Sequence, residues 1–203
     1  MSPKSRGRPP GRGRSRKGAR GSASGRGPSG RVRAPGTVSA WPDEETTDCW
    51  FDEPLPGDRR SWAVPAGHGT YQGLELERLD PDDEDARTFL LEAQHLDYAE
   101  ALERDDEVTV GGEPMSPRLH VTLHQVVANQ LLADEPPETW QTVQRLAGLG
   151  YDWHNIMHMI SALVAENLHL AMAERQPFDR EAYARRLDAL PGDWPSPEEL
   201  GLR

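Results

Sequence analysis

Two stretches of the sequence determine its fold: SPRLHVTLHQVVANQLLA (residues 116–133) and DWHNIMHMISALVAENLHLAMAE (residues 152–174). Ser116 followed by Pro117 predicts a helix start, because a serine hydroxyl accepts from a free backbone amide and proline suits the first helical turn. Asp152 is an equally good cap for the second stretch, which continues without glycine or proline. One face of the first helix is predicted to carry Leu119, Leu123, Val126, Val127 and Gln130.

Three further helices are predicted around these two. Asp80-Pro81, followed by four acidic residues, predicts a helix that continues to about residue 103. Pro137 or Glu138 opens a helix after the Pro136-Pro137 break, and Asp179 caps a last one. Strand-like alternation of useful length is absent from the sequence. We therefore expect an all-α fold, a compact bundle of about five helices preceded by a long disordered N-terminal tail.

The charge of the chain is divided between two opposed blocks. Residues 1–36 hold eleven basic side chains and no acid, which leaves 12 basic and 34 acidic side chains, a net charge of −22, on residues 37–203. A basic arm that buries almost nothing apolar is predicted to be disordered. It is typical of proteins that bind RNA or DNA or associate with the ribosome, so a nucleic-acid- or ribosome-associated interaction protein is the alternative function. Arg6-Gly7-Arg8-Pro9 resembles the core of an AT-hook. The alternative is an arm that partly neutralises its own acidic body. The candidate nucleic-acid contacts are Arg6, Arg8, Arg12, Arg14 and Arg16.

The remaining boundaries follow from composition. We expect a disordered basic tail over residues 1–45, an extended connector rich in proline and glycine over residues 46–79, a helical domain over residues 80–192 and a C-terminal tail over residues 193–203. The sequence lacks the ~20-residue apolar run of a membrane span, and its basic N-terminus lacks the apolar core of a secretory signal. A single cysteine, Cys49, favours the reducing cytoplasm.

Two histidine pairs with identical spacing are the informative feature of the predicted domain. His120 and His124 lie four residues apart, as do His154 and His158. Random placement of seven histidines over 203 positions gives only about 0.2 such pairs. Residues i and i+4 share one helical face, so two neighbouring helices can offer four imidazoles to one divalent transition metal ion, with zinc favoured. Glu166 and His169 form an additional carboxylate-histidine spacing and are possible further ligands.

A structural histidine cluster without metal is an equally open interpretation, because buried imidazoles are often satisfied by carbonyls or carboxylates. An enzyme is less favoured. The H-E-x-x-H zinc peptidase motif requires glutamate where Val121 and Asn155 stand. A four-histidine site without a general base suits the holding of a metal, in a structural or sensory role, better than hydrolysis.

The two pairs also carry a family resemblance. Ser116-Pro117-Arg118-Leu119-His120-x-x-x-His124, then Asp134-Glu135-Pro136-Pro137, then His154-x-x-x-His158-Met159-Ile160 are similar to the bacterial family known as domain of unknown function 1841. The likeness extends back to His95-Leu96-Asp97-Tyr98 and forward to Tyr183, so it covers roughly residues 80–190. The resemblance implies a small, soluble, mostly helical bacterial protein and no particular activity.

Overall fold

Helices make up most of the chain that the structure describes. The computed structural model describes residues 48–110, 112–175 and 177–202, and the basic arm with its five candidate arginines lies outside these residues. The described elements are, in order, β1 (Asp48–Phe51), α1 (Arg59–Ala63), β2 (Gly67–Tyr71), β3 (Leu74–Glu75), a 3₁₀ turn (Leu76–Arg78), α2 (Glu84–Ala93), a second 3₁₀ turn (Leu96–Tyr98), α3 (Ala99–Arg104), β4 (Val108–Val110), β5 (Glu113–Met115), α4 (Pro117–Ala133), α5 (Pro137–Gly148), α6 (Trp153–Glu174) and α7 (Arg180–Ala189).

Three helices begin where their caps were predicted. The Ser116 hydroxyl accepts from the amide of Leu119, 3.3 Å away. The carboxylates of Asp152 and Asp179 accept from the amides three residues further on, at 2.7 and 2.9 Å. Each cap satisfies one of the amide groups that a helix leaves free at its first turn. The starts of α4, α6 and α7 are therefore fixed by local sequence.

The single helix predicted after residue 80 is interrupted. Its cap is Asp83, whose carboxylate accepts from the amide of Ala86 at 2.9 Å, rather than Asp80. Helix α2 ends at Ala93, and the backbone of His95 leaves the helical region before the 3₁₀ turn and α3 follow. This break turns His95 into the protein interior, where it is 4% exposed.

The core lies where α4 crosses α6, α1 and α2. The buried stripe of α4 consists of Val121, His124, Val127, Ala128 and Leu131. It is rotated from the predicted face, since Leu119 is 51% exposed and Leu123 is only half-buried. The stripe differs because the covering helices approach α4 from the side of His124, a tertiary effect that periodicity alone does not contain.

Polar anchors connect the helices around this core. The Gln130 side-chain oxygen accepts from the Thr139 hydroxyl at 2.8 Å and from the Tyr183 hydroxyl at 3.0 Å, and so joins α4, α5 and α7. The Trp153 indole donates to the backbone carbonyl of Trp62 at 2.9 Å, which holds α1 against the start of α6. Buried polar groups that are paired in this way fix the relative positions of helices.

Residues 48–79 differ from the predicted extended connector, and the fold is not purely all-α. An antiparallel sheet of order β1-β2-β3 forms here, and β4 pairs with β5 as a separate hairpin. Trp62, Tyr71 and Leu76 are all buried. The prolines and glycines that suggested a connector lie in and between these short elements. Gly69 has φ +83, and a Cβ there would collide with the carbonyl of Asp48 on the neighbouring strand. The pairing of β1 with β2 therefore requires glycine at position 69.

The C-terminal segment and α6 add two further observations. Trp194, in the predicted C-terminal tail, packs partly buried against the core. The segment Trp153–Ala173 of α6 is long and apolar enough to cross a membrane by length and composition, so the expectation that no stretch meets this criterion is wrong. One such helix is weak evidence for a membrane span, because the core helix of a soluble protein passes the same test. In α6, Ile156, Met157 and Ile160 are fully buried in the core.

Candidate metal centre

The two predicted histidine pairs face each other across the α4–α6 contact. The ring centres are 4.5 Å apart for His120 and His124 and 4.2 Å apart for His154 and His158, as one helical turn allows. Between the helices, the rings of His120 and His158 are separated by 4.9 Å, and those of His124 and His158 by 5.1 Å. The packing of α4 on α6 therefore brings both pairs to one place.

A fifth imidazole, which the sequence pattern did not select as a ligand, completes the cluster. The ring of His95 lies 4.8 Å from those of His120 and His124 and 5.1 Å from that of His154. The break after α2 places it there. The one signal in the sequence was the family resemblance around His95-Leu96-Asp97-Tyr98, since an isolated histidine has no spacing partner. We refer to His95, His120, His124, His154 and His158 together as the histidine cluster.

The hydrogen bonds of the cluster leave several nitrogens unpaired. His95 Nδ1 lies 2.6 Å from the carbonyl oxygen of Leu91, so this nitrogen carries the proton and donates. Its Nε2 is then a lone-pair acceptor, and it is buried without a hydrogen-bond partner among the described residues. Both ring nitrogens of His124, a fully buried side chain, are also unpartnered in the described part of the chain. Leaving a buried polar atom unsatisfied costs about 1–3 kcal/mol.

Four of the five side chains can act as ligands of one metal ion. One ligand atom each from His95, His120, His124 and His158 lies within 4.8 Å of the other three. His120 Nε2 and His158 Nε2 are 3.3 Å apart, and two nitrogens bound tetrahedrally at ~2.0–2.1 Å are separated by roughly that distance. His154 does not belong to this group of four.

Burial keeps the imidazoles neutral, which is the form that binds metal. Removal from water lowers the pKa of His95 and of His120 to about 4 and that of His158 to about 3. The same cause, reinforced by the neighbouring imidazoles, lowers the pKa of His124 still further. Burial also lowers the pKa of His154, against the opposing effect of the carboxylates of Asp152 and Asp97. At neutral pH each of the five rings therefore retains a lone pair.

The other two predicted ligands lie away from the histidine cluster. Glu166 is two turns beyond His158 on α6, and its exposed carboxylate pairs with the guanidinium of Arg186 on α7. That contact lowers the pKa of Glu166. His169 is exposed. The carboxylate-histidine spacing is present on the helix, but among the described residues neither Glu166 nor His169 belongs to the group of possible metal ligands.

His68, which like His169 lies outside both pairs and the cluster, has a different environment. His68 on β2 lies with Nε2 3.0 Å from a carboxylate oxygen of Asp52 and with Nδ1 3.7 Å from Glu77. Its ring stacks on the exposed Trp50. These carboxylates raise the pKa of His68, chiefly through the hydrogen bond to Asp52. The contrast with the lowered pKa values of the cluster marks the cluster as the place where imidazoles are held neutral.

Comparison with known proteins places this chain in a family. Residues 75–189 match the family model described as Domain of unknown function (DUF1841), a match that spans more than half of the chain. The chain belongs to the DUF1841 family. No curated protein and no solved structure matches the chain.

The DUF1841 match confirms the resemblance noted in the sequence, and its extent is informative. The matched segment contains α2 through α7 and all five histidines of the cluster. Strands β1 and β2 and helix α1, which pack on that segment, precede it. The family description assigns no function to DUF1841, so any function for this chain is argued from the site itself.

Proposed function

We propose that this cytoplasmic protein holds one divalent transition metal ion, zinc by default, through His95, His120, His124 and His158, in a structural or sensory role. The observation that carries the proposal is the convergence of neutral, buried and unpartnered imidazole nitrogens. Together, His95 Nε2 and the two nitrogens of His124 are three such atoms. A metal ion would satisfy an otherwise unpaired lone pair on each of these two rings.

The contact between His95 and Leu91 supports this assignment. Metal-binding histidines generally donate their second ring N–H to a carbonyl or carboxylate, which fixes the tautomer and orients the lone pair. His95 Nδ1 makes that contact with the Leu91 carbonyl at 2.6 Å. The His95 ring lies 4.8–5.1 Å from the imidazoles of His120 and His124 on α4 and His154 on α6, and its Nε2 is left without a hydrogen-bond partner among the described residues.

The alternative is a structural cluster that is stabilised by hydrogen bonds without metal. Such a cluster would pair its nitrogens with carbonyls, carboxylates or each other. Between its members, the described structure holds one nitrogen-to-nitrogen contact, His120 to His158 at 3.3 Å. The group of four contains no carboxylate. Imidazole ligands without carboxylate suit zinc, copper, nickel or iron rather than magnesium or calcium.

Metal analysis of protein purified without a histidine tag tests the proposal. We expect about one equivalent of metal in the wild-type protein and less than about 0.3 equivalents after His124→Ala. Because His124 is fully buried, its loss also leaves a cavity, so His120→Ala at a half-buried ring is the second variant. His169→Ala is the matched control, since it removes an exposed imidazole from the helix that carries His158.

Two results would contradict the proposal. One is folded wild-type protein that contains less than about 0.3 equivalents of metal and takes up none on titration with Zn²⁺. The other is equal metal content in the wild-type, His120→Ala and His124→Ala proteins. Either result would leave the hydrogen-bonded cluster as the better account.

The basic arm supports a second proposal, that residues 1–36 bind RNA or DNA. It rests on the eleven basic side chains and the absence of acids in that segment. Binding through phosphate contacts weakens steeply with salt. We expect deletion of residues 1–36 to abolish binding to duplex DNA and to RNA and to remove the salt dependence. A deletion variant that binds as well as the full chain would exclude this function.

A further inference from the structure

A cavity of about 310 Å³ lies against the histidine cluster. It reaches the cluster through two of the five imidazoles, His95 and His154. Phe51 and Leu96 line its apolar part, and Tyr98 and Asp97 supply polar groups. The volume is at the lower end of the range of small-molecule sites. A small ligand can therefore lie beside the candidate metal centre.

His154 belongs to the cluster but not to the group of four ligands. Its ring is 4.2 Å from that of His158 and 5.1 Å from that of His95. It is half-buried and lines the cavity, and its imidazole makes no hydrogen bond to another residue that the structure describes. Its ring adjoins both the rings of the four ligands and the cavity, which suits a group that contacts whatever binds next to the metal.

Tyr98 lies on the same side of the cluster. Its ring stacks on His95 with a 12° interplanar angle and meets His120 edge-on, with ring centres 6.2 and 5.8 Å apart. Both rings that it contacts belong to the group of four. Tyr98 also lines the cavity, and its phenol hydroxyl is a group that can donate a hydrogen bond.

The charge of the loaded centre determines what would bind there. Four neutral imidazoles around a divalent ion leave two positive charges on the centre, and the group of four contains no carboxylate to offset them. A buried charge without a counter-charge is costly. A small anion that reaches the metal would reduce this charge, and a monoanion would be repelled less by the Asp97 carboxylate at the cavity than an anion of higher charge.

We propose that the metal centre takes a small exogenous monoanion as an additional ligand from the side of this cavity, and that His154 and Tyr98 donate hydrogen bonds to the anion instead of binding the metal. This inference rests on the proposed metal site. It gives His154 a function different from that of the four metal ligands, and it makes the metal centre a ligand-binding site in addition to a structural one.

Azide titration of the Co²⁺-loaded full-length protein tests the inference, with the visible ligand-field bands of Co²⁺ as the readout. We expect azide to change these bands saturably. His154→Ala should raise the azide Kd about tenfold, as loss of a hydrogen bond to a charged group predicts, while the protein still holds about one equivalent of Co²⁺. Tyr98→Phe keeps the ring that packs on His95 and removes only the hydroxyl, so it should raise the Kd without affecting the fold. His169→Ala is the control and should leave the Kd unchanged.

The possible results separate the two proposals. If Co²⁺ binds but azide at concentrations on the order of 100 mM leaves the spectrum unchanged, the inference is wrong and the metal site stands. Loss of Co²⁺ in folded His154→Ala would make His154 a ligand and would also overturn the inference. An unchanged azide Kd in both His154→Ala and Tyr98→Phe would remove the assigned role of these side chains. Failure of the wild-type protein to bind Co²⁺ would overturn the metal site itself.

Discussion

The two halves of helix α6, residues 153–163 and 164–174, are similar in composition but have different environments. Each half combines histidine with apolar residues at helical spacing. In the first half, Ile156 and Ile160 are fully buried. In the second half, Leu168 and Met172 are 47% and 74% exposed.

The difference comes from the neighbours of each half. His158 in the first half meets the rings of His120, His124 and His154 at 4.2–5.1 Å. His169 in the second half makes no ring contact with any residue that the structure describes. Ligand spacing along one helix is therefore not sufficient for a metal site, because other elements must bring further ligands to the same place.

Truncation of one aliphatic side chain in each half gives the largest expected contrast. Ile160→Ala should lower the free energy of unfolding by about 2–5 kcal/mol, because it empties a fully buried position. Leu168→Ala removes the same number of carbon atoms from a half-exposed position, and we expect a change within about 0.5 kcal/mol. Urea unfolding of both variants measures the difference. An equal loss in the two variants would mean that the second half of α6 is covered in solution.

A fall in pH should destabilise the metal-free protein through the buried histidine cluster against which the first half of α6 packs. The pKa of His95 is lowered to about 4 from an ordinary value near 6.5. The unfolded chain therefore takes up a proton before the folded chain does, so the stability that His95 contributes is complete above pH 6.5 and is lost as the pH falls toward 4. For His95 this loss reaches about 3 kcal/mol.

Urea unfolding in the presence of a chelator, at several pH values between 7 and 4.5, tests this sign. His95→Gln should flatten the dependence, because glutamine does not titrate. His169→Ala should unfold with the wild-type pH dependence, since it removes an exposed ring. A His95→Gln protein with the full wild-type pH dependence would show that the neutral buried ring is not the cause.

The sequence predicted the parts of the fold that depend on local chemistry. Ser116, Asp152 and Asp179 cap their helices as expected, because a cap needs only an amide two or three residues further along the chain. The break at His95, the rotated face of α4 and the sheet of residues 48–79 were not predicted. Each of these depends on which elements pack together, and periodicity within one segment does not contain that information.

The same limit applies to the site. The histidine pairs were predicted because i and i+4 share a face whatever surrounds the helix. His95 has no such partner and reaches the cluster only because α2 ends at Ala93. The spacing of Glu166 and His169 was also a local pattern, and neither residue joins the group of possible metal ligands among the residues that the structure describes.

Metal addition should stabilise the protein through His158 in the first half of α6 and not through His169 in the second half. At a free Zn²⁺ concentration of about 100 times Kd, binding to the folded state adds about 2.7 kcal/mol to the free energy of unfolding. We expect the increase in the wild-type and His169→Ala proteins and its absence in His158→Ala. Thermal unfolding with Zn²⁺ and with chelator measures the shift. Stabilisation of His158→Ala to the wild-type extent would place the bound metal elsewhere.

The smallest expected effect concerns the ion pair that the second half of α6 makes with α7. Glu166→Gln removes the carboxylate that pairs with Arg186, and both side chains are substantially exposed. Exposed ion pairs contribute little to stability because water and salt screen them. We therefore expect the unfolding midpoint and the metal content to match those of the wild-type protein. A Glu166→Gln protein that loses its metal would break the comparison between the two halves, since it would show that the carboxylate acts on the histidine cluster from two turns away.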